Sequence, residues 1–124
     1  MSGQTVRLSV PAKAGFARAV RMMAASLAVV CDMSVDDVED VRMAAEEGFV
    51  LCCATAPESC DVDFALSQGE VRMAFALGPQ EADDADGSLR LAELLLSAVC
   101  DEHAVTDGGA SLVLVKRTDA AYGE

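Results

Sequence analysis

Apolar residues recur with two different periods along this chain. In five short segments they alternate with polar residues, which is the period of a strand, and in three longer segments they recur every three or four residues, which is the period of a helix. The predicted strands cover residues 5–10, 61–67, 70–75, 104–106 and 110–116, and the predicted helices cover 16–32, 34–56 and 88–99. Two short turns, Ser67-Gln68-Gly69 and Asp107-Gly108-Gly109, predict hairpins.

Each predicted helix has one apolar face that we expect to be buried. The three faces are Phe16, Val20, Met23, Leu27 and Val30; Val35, Val38, Val41, Ala45, Phe49 and Cys52; and Leu91, Leu94, Leu95, Ala98 and Val99. Ser34, three residues before Asp37, predicts the N-cap of the second helix, and Pro57 predicts its end. Ser88 predicts the N-cap of the third helix.

The element order β-α-α-β-β-α-β-β predicts the fold class. A single sheet with all its helices on one side buries one face of the sheet and one face of each helix. We therefore predict an α+β two-layer sandwich, with a mixed β-sheet and three helices on one face. At 124 residues the chain is long enough for one core, so residues 1–124 are predicted to form one domain.

The net charge of the chain restricts which classes of molecule we expect as its partner. The chain has 9 Lys and Arg against 21 Asp and Glu, a net charge of −12. Nucleic acids and anionic membranes bind clustered cations, so we expect neither as a partner, whereas a basic protein would suit this surface. Five cysteines without a CxxC pair or a secretory leader predict reduced thiols and a cytoplasmic protein.

Several segments, taken in their order along the chain, resemble segments of the anti-sigma-factor serine kinases. These kinases are members of the GHKL superfamily and have the histidine-kinase-like ATPase fold. Val10-Pro11-Ala12-Lys13 resembles the family's exit from its first strand, and residues 40–57 resemble its N-box helix. Residues 91–101, followed by Gly108-Gly109 and 111–117, resemble its last helix and hairpin.

The resemblance implies a nucleotide site from which several family residues are missing. The family's N-box pairs a catalytic Glu with a Mg²⁺-binding Asn four residues later; here Glu47 is followed by Leu51, which offers no oxygen to a cation. The family's Asp-x-Gly motif reads adenine, but here it is Ala76-Leu77-Gly78. Its phosphate-binding glycines are replaced by residues 88–91, where Arg90 is the one group suited to phosphate.

Glu47, Leu51, Ala76, Gly78 and Arg90 therefore mark a degenerate site, and we expect no bound cofactor and no resident metal. The leading hypothesis is a non-enzymatic, anti-sigma-factor-like regulator that binds a protein such as a sigma factor or an antagonist. The resemblance implies a homodimer through the first strand and helix. The candidate partner-binding residues are Arg18, Arg21, Asp36, Asp37, Glu39 and Asp40.

Other interpretations remain open. The chain is an active ATP-dependent serine kinase if Glu47 acts as base and Arg90 holds the phosphates. It is a ligand sensor if the apolar pocket expected near Leu51, Ala76 and Leu77 holds another molecule. Cys52, Cys53 and Cys60 with His103 match no standard zinc spacing, so buried thiols and a helix-capping histidine are expected. The acidic loop at 81–86 is either solvated or in contact with a partner.

Overall fold

The structure is a computed structural model, and it describes residues 3–118. The strands are β1 (Gln4–Val10), β2 (Cys60–Ser67), β3 (Glu70–Ala76), β4 (Glu102–Thr106) and β5 (Ser111–Arg117). The helices are α1 (Ala17–Val30), α2 (Val35–Cys53) and α3 (Ser88–Val99), with short 3-10 turns at Ala14–Phe16 and Asp107–Gly109. Every predicted helix and strand is present, and the two predicted hairpins are confirmed.

The five strands form one sheet in the order β1-β2-β3-β5-β4. The predicted α+β class is confirmed, but the prediction of a mixed sheet was wrong because all four strand pairings are antiparallel. The reason lies in the strand order. β4 runs parallel to β3, yet β5 lies between them, so no neighbouring pair in the described sheet is parallel.

One face of the sheet is buried beneath the helices. Its side chains are Cys60, Val62, Phe64, Leu66, Val71, Met73, Phe75, Leu112 and Leu114. The central helix α2 packs closely on this face, because a Cβ on Gly48 would lie 2.6 Å from Cε1 of Phe75. The opposite face carries small and charged residues, among them Arg7 and Asp63, which form an exposed ion pair at 2.7 Å.

The buried helix faces differ from those predicted. Helix α1 buries Val20, Ala24, Leu27 and Ala28, whereas Phe16 and Val30 are exposed. In α2, Val41, Ala45, Phe49 and Cys52 are buried as predicted, but Val35 is 80% exposed. Helix α3 buries Leu89, Ala92, Leu96 and Val99, so only Val99 of its five predicted core residues was correctly assigned to the core. Leucines occupy several sides of α3, and their spacing alone fits more than one buried face.

Helix caps explain where α2 and α3 begin. Ser34 caps α2 as predicted, because its Oγ accepts a hydrogen bond from the Asp37 N–H at 3.1 Å. Ser88 does not cap α3; the N-cap is Gly87, in the left-handed conformation at φ 77°. Carboxylates of the acidic loop replace a serine cap, since Asp86 accepts from the Ser88 N–H at 3.0 Å and Asp84 from the Leu89 N–H at 2.9 Å.

Within residues 3–118, no helix combines the length and the apolar character that crossing a bilayer requires.

Candidate functional site

A cavity of about 480 Å³ lies between α2, α3, the loop that follows β3, and strands β4 and β5. Leucine is the most frequent residue in its wall: Leu51 from α2, Leu77 from the loop, Leu89 and Leu96 from α3, and Leu112 from β5. Its polar lining consists of Thr55, Asp84, Glu93 and His103. The cavity is therefore apolar inside, and the two carboxylates give it negative charge.

Three segments that the resemblance assigns to a nucleotide converge on this cavity. Leu51 stands where the family has its Mg²⁺-binding Asn, Leu77 is the middle residue of the altered Asp-x-Gly motif, and Leu89 belongs to the segment that replaces the phosphate-binding glycines. Each of these three segments contributes a leucine to the cavity, but of the five residues assigned to the degenerate site only Leu51 lines it.

Ala76 does not face this cavity. It lies at the end of β3 on the opposite side of the sheet, beside Ser9, Asp61 and Ser111. Its carbonyl oxygen accepts a hydrogen bond from the Cys52 thiol at 3.3 Å. Of the apolar pocket expected near Leu51, Ala76 and Leu77, only the two leucines line the cavity.

Gly78 is held by packing against the loop between α2 and β2. Its N–H donates to Thr55 Oγ1 at 2.7 Å. A Cβ at position 78 would lie 2.6 Å from the Ala56 carbonyl carbon and would also clash with the Thr55 carbonyl oxygen and the Pro57 nitrogen. Glycine is therefore required here by the close approach of two backbone segments.

Thr55 connects the end of α2 to the loop that follows β3 by hydrogen bonds, and the sequence analysis did not identify it. Its hydroxyl donates to the Cys52 carbonyl at 2.6 Å and accepts from Gly78, and its carbonyl accepts from the Gln80 N–H at 3.0 Å. The sequence signal was a threonine directly after a helix, where a hydroxyl can bond to the last turn.

Glu47 and Arg90 do not line the cavity. Glu47 is half-buried on α2, where burial and then the neighbouring charge of Glu46 raise the pKa of its carboxyl group. Arg90 is exposed on α3. The two residues proposed for an active kinase therefore both lie outside the leucine-lined space.

Four of the six candidate partner-binding residues are engaged within the chain. Arg21 pairs with Glu46 at 2.6 Å, and Glu39 pairs with Arg42 at 2.6 Å. Asp40 lies 3.0 Å from Lys116.

Asp37 is buried, with 8% of its surface exposed, and its carboxylate accepts from the Thr118 hydroxyl at 3.1 Å. Arg18 and Asp36 are exposed. Some of the carboxylates at the start of α2 are therefore used to hold α2 against β5.

The five cysteines carry free thiols, three of them buried. Among residues 3–118, no three His, Cys, Asp or Glu side chains are placed to hold a metal ion. His103 was expected at a helix end, but it lies in β4, where its Nε2 is 3.4 Å from the Ser97 hydroxyl of α3.

Helix α3 displays a second row of apolar side chains on its outer surface. Leu91 is 59% exposed and Leu94 is 63% exposed, while Leu95 is half-buried and Ala98 is exposed. These four residues were predicted to be core, so sequence reasoning identified the row and placed it on the wrong side. We name Leu91, Leu94, Leu95 and Ala98 the outer leucine row.

Comparisons with known proteins support the fold. No family model matches the chain, and no curated protein matches it. The crystal structure of the RsbU and RsbW domains of Rv1364c from Mycobacterium tuberculosis is similar to this chain, with a TM-score of 0.61 and 20% sequence identity. The similarity covers 93% of this chain and 31% of that chain. This chain therefore spans about a third of the length of that protein and shares with it the two-layer α+β fold.

Proposed function

We propose that this chain is an anti-sigma-factor-like regulatory protein that acts by binding another protein, without using ATP. The order of its motifs resembles the anti-sigma-factor kinases, and its fold is similar to that of a solved structure that contains an RsbW domain. Fold alone does not assign function, so the proposal depends on the chemistry of the site.

The observation that carries the proposal is the leucine lining of the cavity. Mg²⁺ requires oxygen ligands in near-octahedral geometry, and Leu51 supplies none at the position where the family has its amide. Asp84 and Glu93 add two carboxylates to the wall, and like charges 4 Å apart repel by about 1 kcal/mol even in bulk water. An apolar, acidic cavity is a poor environment for a magnesium-bound triphosphate.

The surviving glycine of the altered motif does not argue for a nucleotide. Gly78 is required by its contact with residues 55–57, so its presence has a structural cause that is independent of any ligand.

Isothermal titration with Mg-ATP tests the proposal. We expect no heat of binding up to 1 mM ATP, which corresponds to a binding free energy weaker than about −4 kcal/mol. Circular dichroism on the same sample checks that the protein is folded. Saturable binding at micromolar ATP would overturn the proposal.

One observation favours a second function, the ATP-dependent serine kinase. The raised pKa of Glu47, caused by burial and by Glu46, is a property of many general bases. If Glu47 serves only the fold, Glu47→Ala leaves partner binding unchanged. Loss of a measured phosphotransfer activity in that variant, with the fold intact, would favour the kinase.

The proposal includes a cytoplasmic homodimer formed through β1 and α1. Within the described residues β1 is an edge strand paired with β2, and α1 exposes Met22 and Val29. An unpaired strand edge and exposed apolar side chains are features that a dimer interface covers. Sedimentation equilibrium tests this part, with a dimer mass expected.

A further inference from the structure

The outer leucine row forms a continuous apolar stripe. Leu91, Leu94, Leu95 and Ala98 follow a spacing of three, four and seven residues, which places them on one side of α3. The inner face of α3, which packs mainly against α2, is formed by a different set: Leu89, Ala92, Leu96 and Val99. Helix α3 therefore has one apolar face toward the core and another toward solvent.

Single exposed leucines are common on protein surfaces, but a continuous row along one side of a helix is not. A 12-residue helix is about 18 Å long. The row itself runs from Leu91 to Ala98, about 10 Å or two turns of the helix. Its spacing of i, i+3, i+4 and i+7 is the one with which an amphipathic helix places its anchors along a groove.

The charges at both ends of α3 restrict what can cover this row. Before the helix, Glu81, Asp83 and Asp86 are exposed. After it, Asp101 and Glu102 are exposed, but the Arg117 N–H donates to Asp101 at 2.6 Å and the Arg117 guanidinium pairs with Glu102. On the helix, Arg90 and Glu93 offset one another in charge. The acidic loop therefore makes the start of the strip the more negative end, and at the other end two carboxylates share one cation.

A second copy of the chain is disfavoured on this surface. If two α3 helices packed antiparallel, the acidic loop of each would meet Asp101 and Glu102 of the other. If they packed parallel, each acidic end would meet its own equivalent. Either arrangement brings like charges together, in a chain whose net charge is already −12.

We infer that the outer leucine row of α3 is a docking surface for an amphipathic helix of a basic protein partner. The partner's apolar side chains cover Leu91, Leu94 and Leu95, and its Lys or Arg residues meet the carboxylates of the acidic loop before α3. This inference rests on the proposed function, since it names the chemistry of the protein that the regulator binds.

Two synthetic peptides of 14 residues test this surface. They share one stripe of leucines and carry either lysine or glutamate at the remaining positions. Fluorescence anisotropy at 150 mM NaCl is expected to show saturable binding of the lysine peptide and none of the glutamate peptide. In a ¹H–¹⁵N spectrum of the protein, the lysine peptide is expected to shift the resonances of α3.

Matched variants separate this site from the general acidity of the protein. Leu94→Gln is expected to weaken the lysine peptide at least about fivefold, because an exposed leucine that becomes buried on binding contributes apolar area. Val35→Gln changes an equally apolar residue, 80% exposed on α2, and is expected to leave the affinity unchanged. Both positions are exposed, so circular dichroism should show a folded protein in each case.

Three results would overturn the inference: equal weakening by the two variants, equal binding of the two peptides, or a self-association that Leu94→Gln abolishes. The last would mean that a second copy covers the row. Failure here is distinct from failure of the proposed function, which the Mg-ATP titration decides without reference to α3.

Discussion

Individual residues in this protein have structural roles that a motif comparison does not reveal. Gly78 matches a ligand-binding glycine in sequence, yet its backbone lies against residues 55–57 and its N–H is bonded to the Thr55 hydroxyl. Its role follows from a close contact between two loops, and no pattern in the sequence encodes that contact. A glycine identified by resemblance therefore needs its neighbours described before a function is assigned to it.

Gly78→Ala is expected to lower the free energy of unfolding by about 1–3 kcal/mol, because the added methyl group overlaps backbone atoms that cannot move aside easily. Urea denaturation measures the change. Gly15→Ala is the matched control, since a Cβ there meets nothing within 4 Å, and its stability should be close to that of the original protein. Equal stability of the two variants would contradict the packing role.

Glu47 carries a charge that the folded protein disfavours. Its raised pKa means that the folded state holds the carboxyl proton more tightly than the unfolded state, so the charged form destabilises the protein near pH 7. Glu47→Gln should therefore increase the stability at pH 7 by less than about 1 kcal/mol. The gain should vanish as the pH falls below 4.5, the ordinary pKa of glutamate, where both states are protonated.

Urea denaturation at pH 7.5 and pH 4 measures this difference. Glu58→Gln, at an exposed glutamate, is the control and should change the stability little at either pH. A Glu47→Gln variant that is less stable than the original at pH 7.5 would show that the carboxylate makes a favourable contact.

At the scale of elements, the sequence predicted which segments form helices and strands but not always which side each helix buries. In α2, charged residues occupy one side and the core stripe was mostly recognised. In α3, five leucines are distributed around the helix, and only packing against α2 and the edge of the sheet decides that Leu89 and Leu96 turn inward while Leu91 and Leu94 turn outward. Periodicity cannot make that choice when both sides are apolar.

Lys116 of β5 holds helix α2 in place by ion pairing with carboxylates at the start of that helix. Its ammonium group lies 3.0 Å from Asp40 and 3.8 Å from Asp37, and its side chain is 15% exposed. Burial opposes the charge of Lys116, but the hydrogen bond to Asp40 and the nearby carboxylates leave its pKa raised. Asp37 and Asp40 are therefore engaged with Lys116 and do not form the free acidic surface that the sequence predicted at the start of α2.

Lys116→Met is expected to destabilise the protein by about 2 kcal/mol, because it leaves the buried Asp37 carboxylate without its cation; fully buried pairs lose about 3–5 kcal/mol. Thermal and urea denaturation measure the loss. Arg42→Met removes the cation of an exposed pair with Glu39, and should change stability much less than Lys116→Met does. If the two variants proved equally stable, Lys116 would not fasten α2.

At the scale of the whole molecule, the excess of carboxylates opposes folding. A net charge of −12 in a chain of this size produces self-repulsion in the compact state. Salt shortens the range of that repulsion, from about 30 Å at 0.01 M to about 10 Å at 0.1 M. The melting temperature should therefore rise by about 2–5 °C over this range.

Differential scanning fluorimetry in NaCl and in KCl checks this prediction. The two salts should act equally, because screening depends on ionic strength rather than on the identity of the cation. A melting temperature that falls with salt would mean that favourable ion pairs outweigh the repulsion.

The fold class and three of the segments around the cavity could be predicted because each depends on features that are local in sequence: element order, hairpin turns and short motif-like segments. The strand directions, the orientation of Ala76 and the packing of Gly78 depend on contacts between segments that are distant along the chain. The proposal of a regulator without ATP therefore draws on both sources, since the sequence located Leu51 and the structure placed Leu77 and Leu89 beside it.

The pairing of β1 has a consequence for how the protein folds and opens. β2 and β3 are joined by a two-residue turn, but Val10 of β1 pairs with Cys60, so β1 can dock only after about fifty intervening residues have been brought together. β1 should then be the last strand to acquire protected amides during refolding, and the first to exchange its amide hydrogens in the native state. The sheet should therefore open at its β1 edge while the β2–β3 hairpin stays paired.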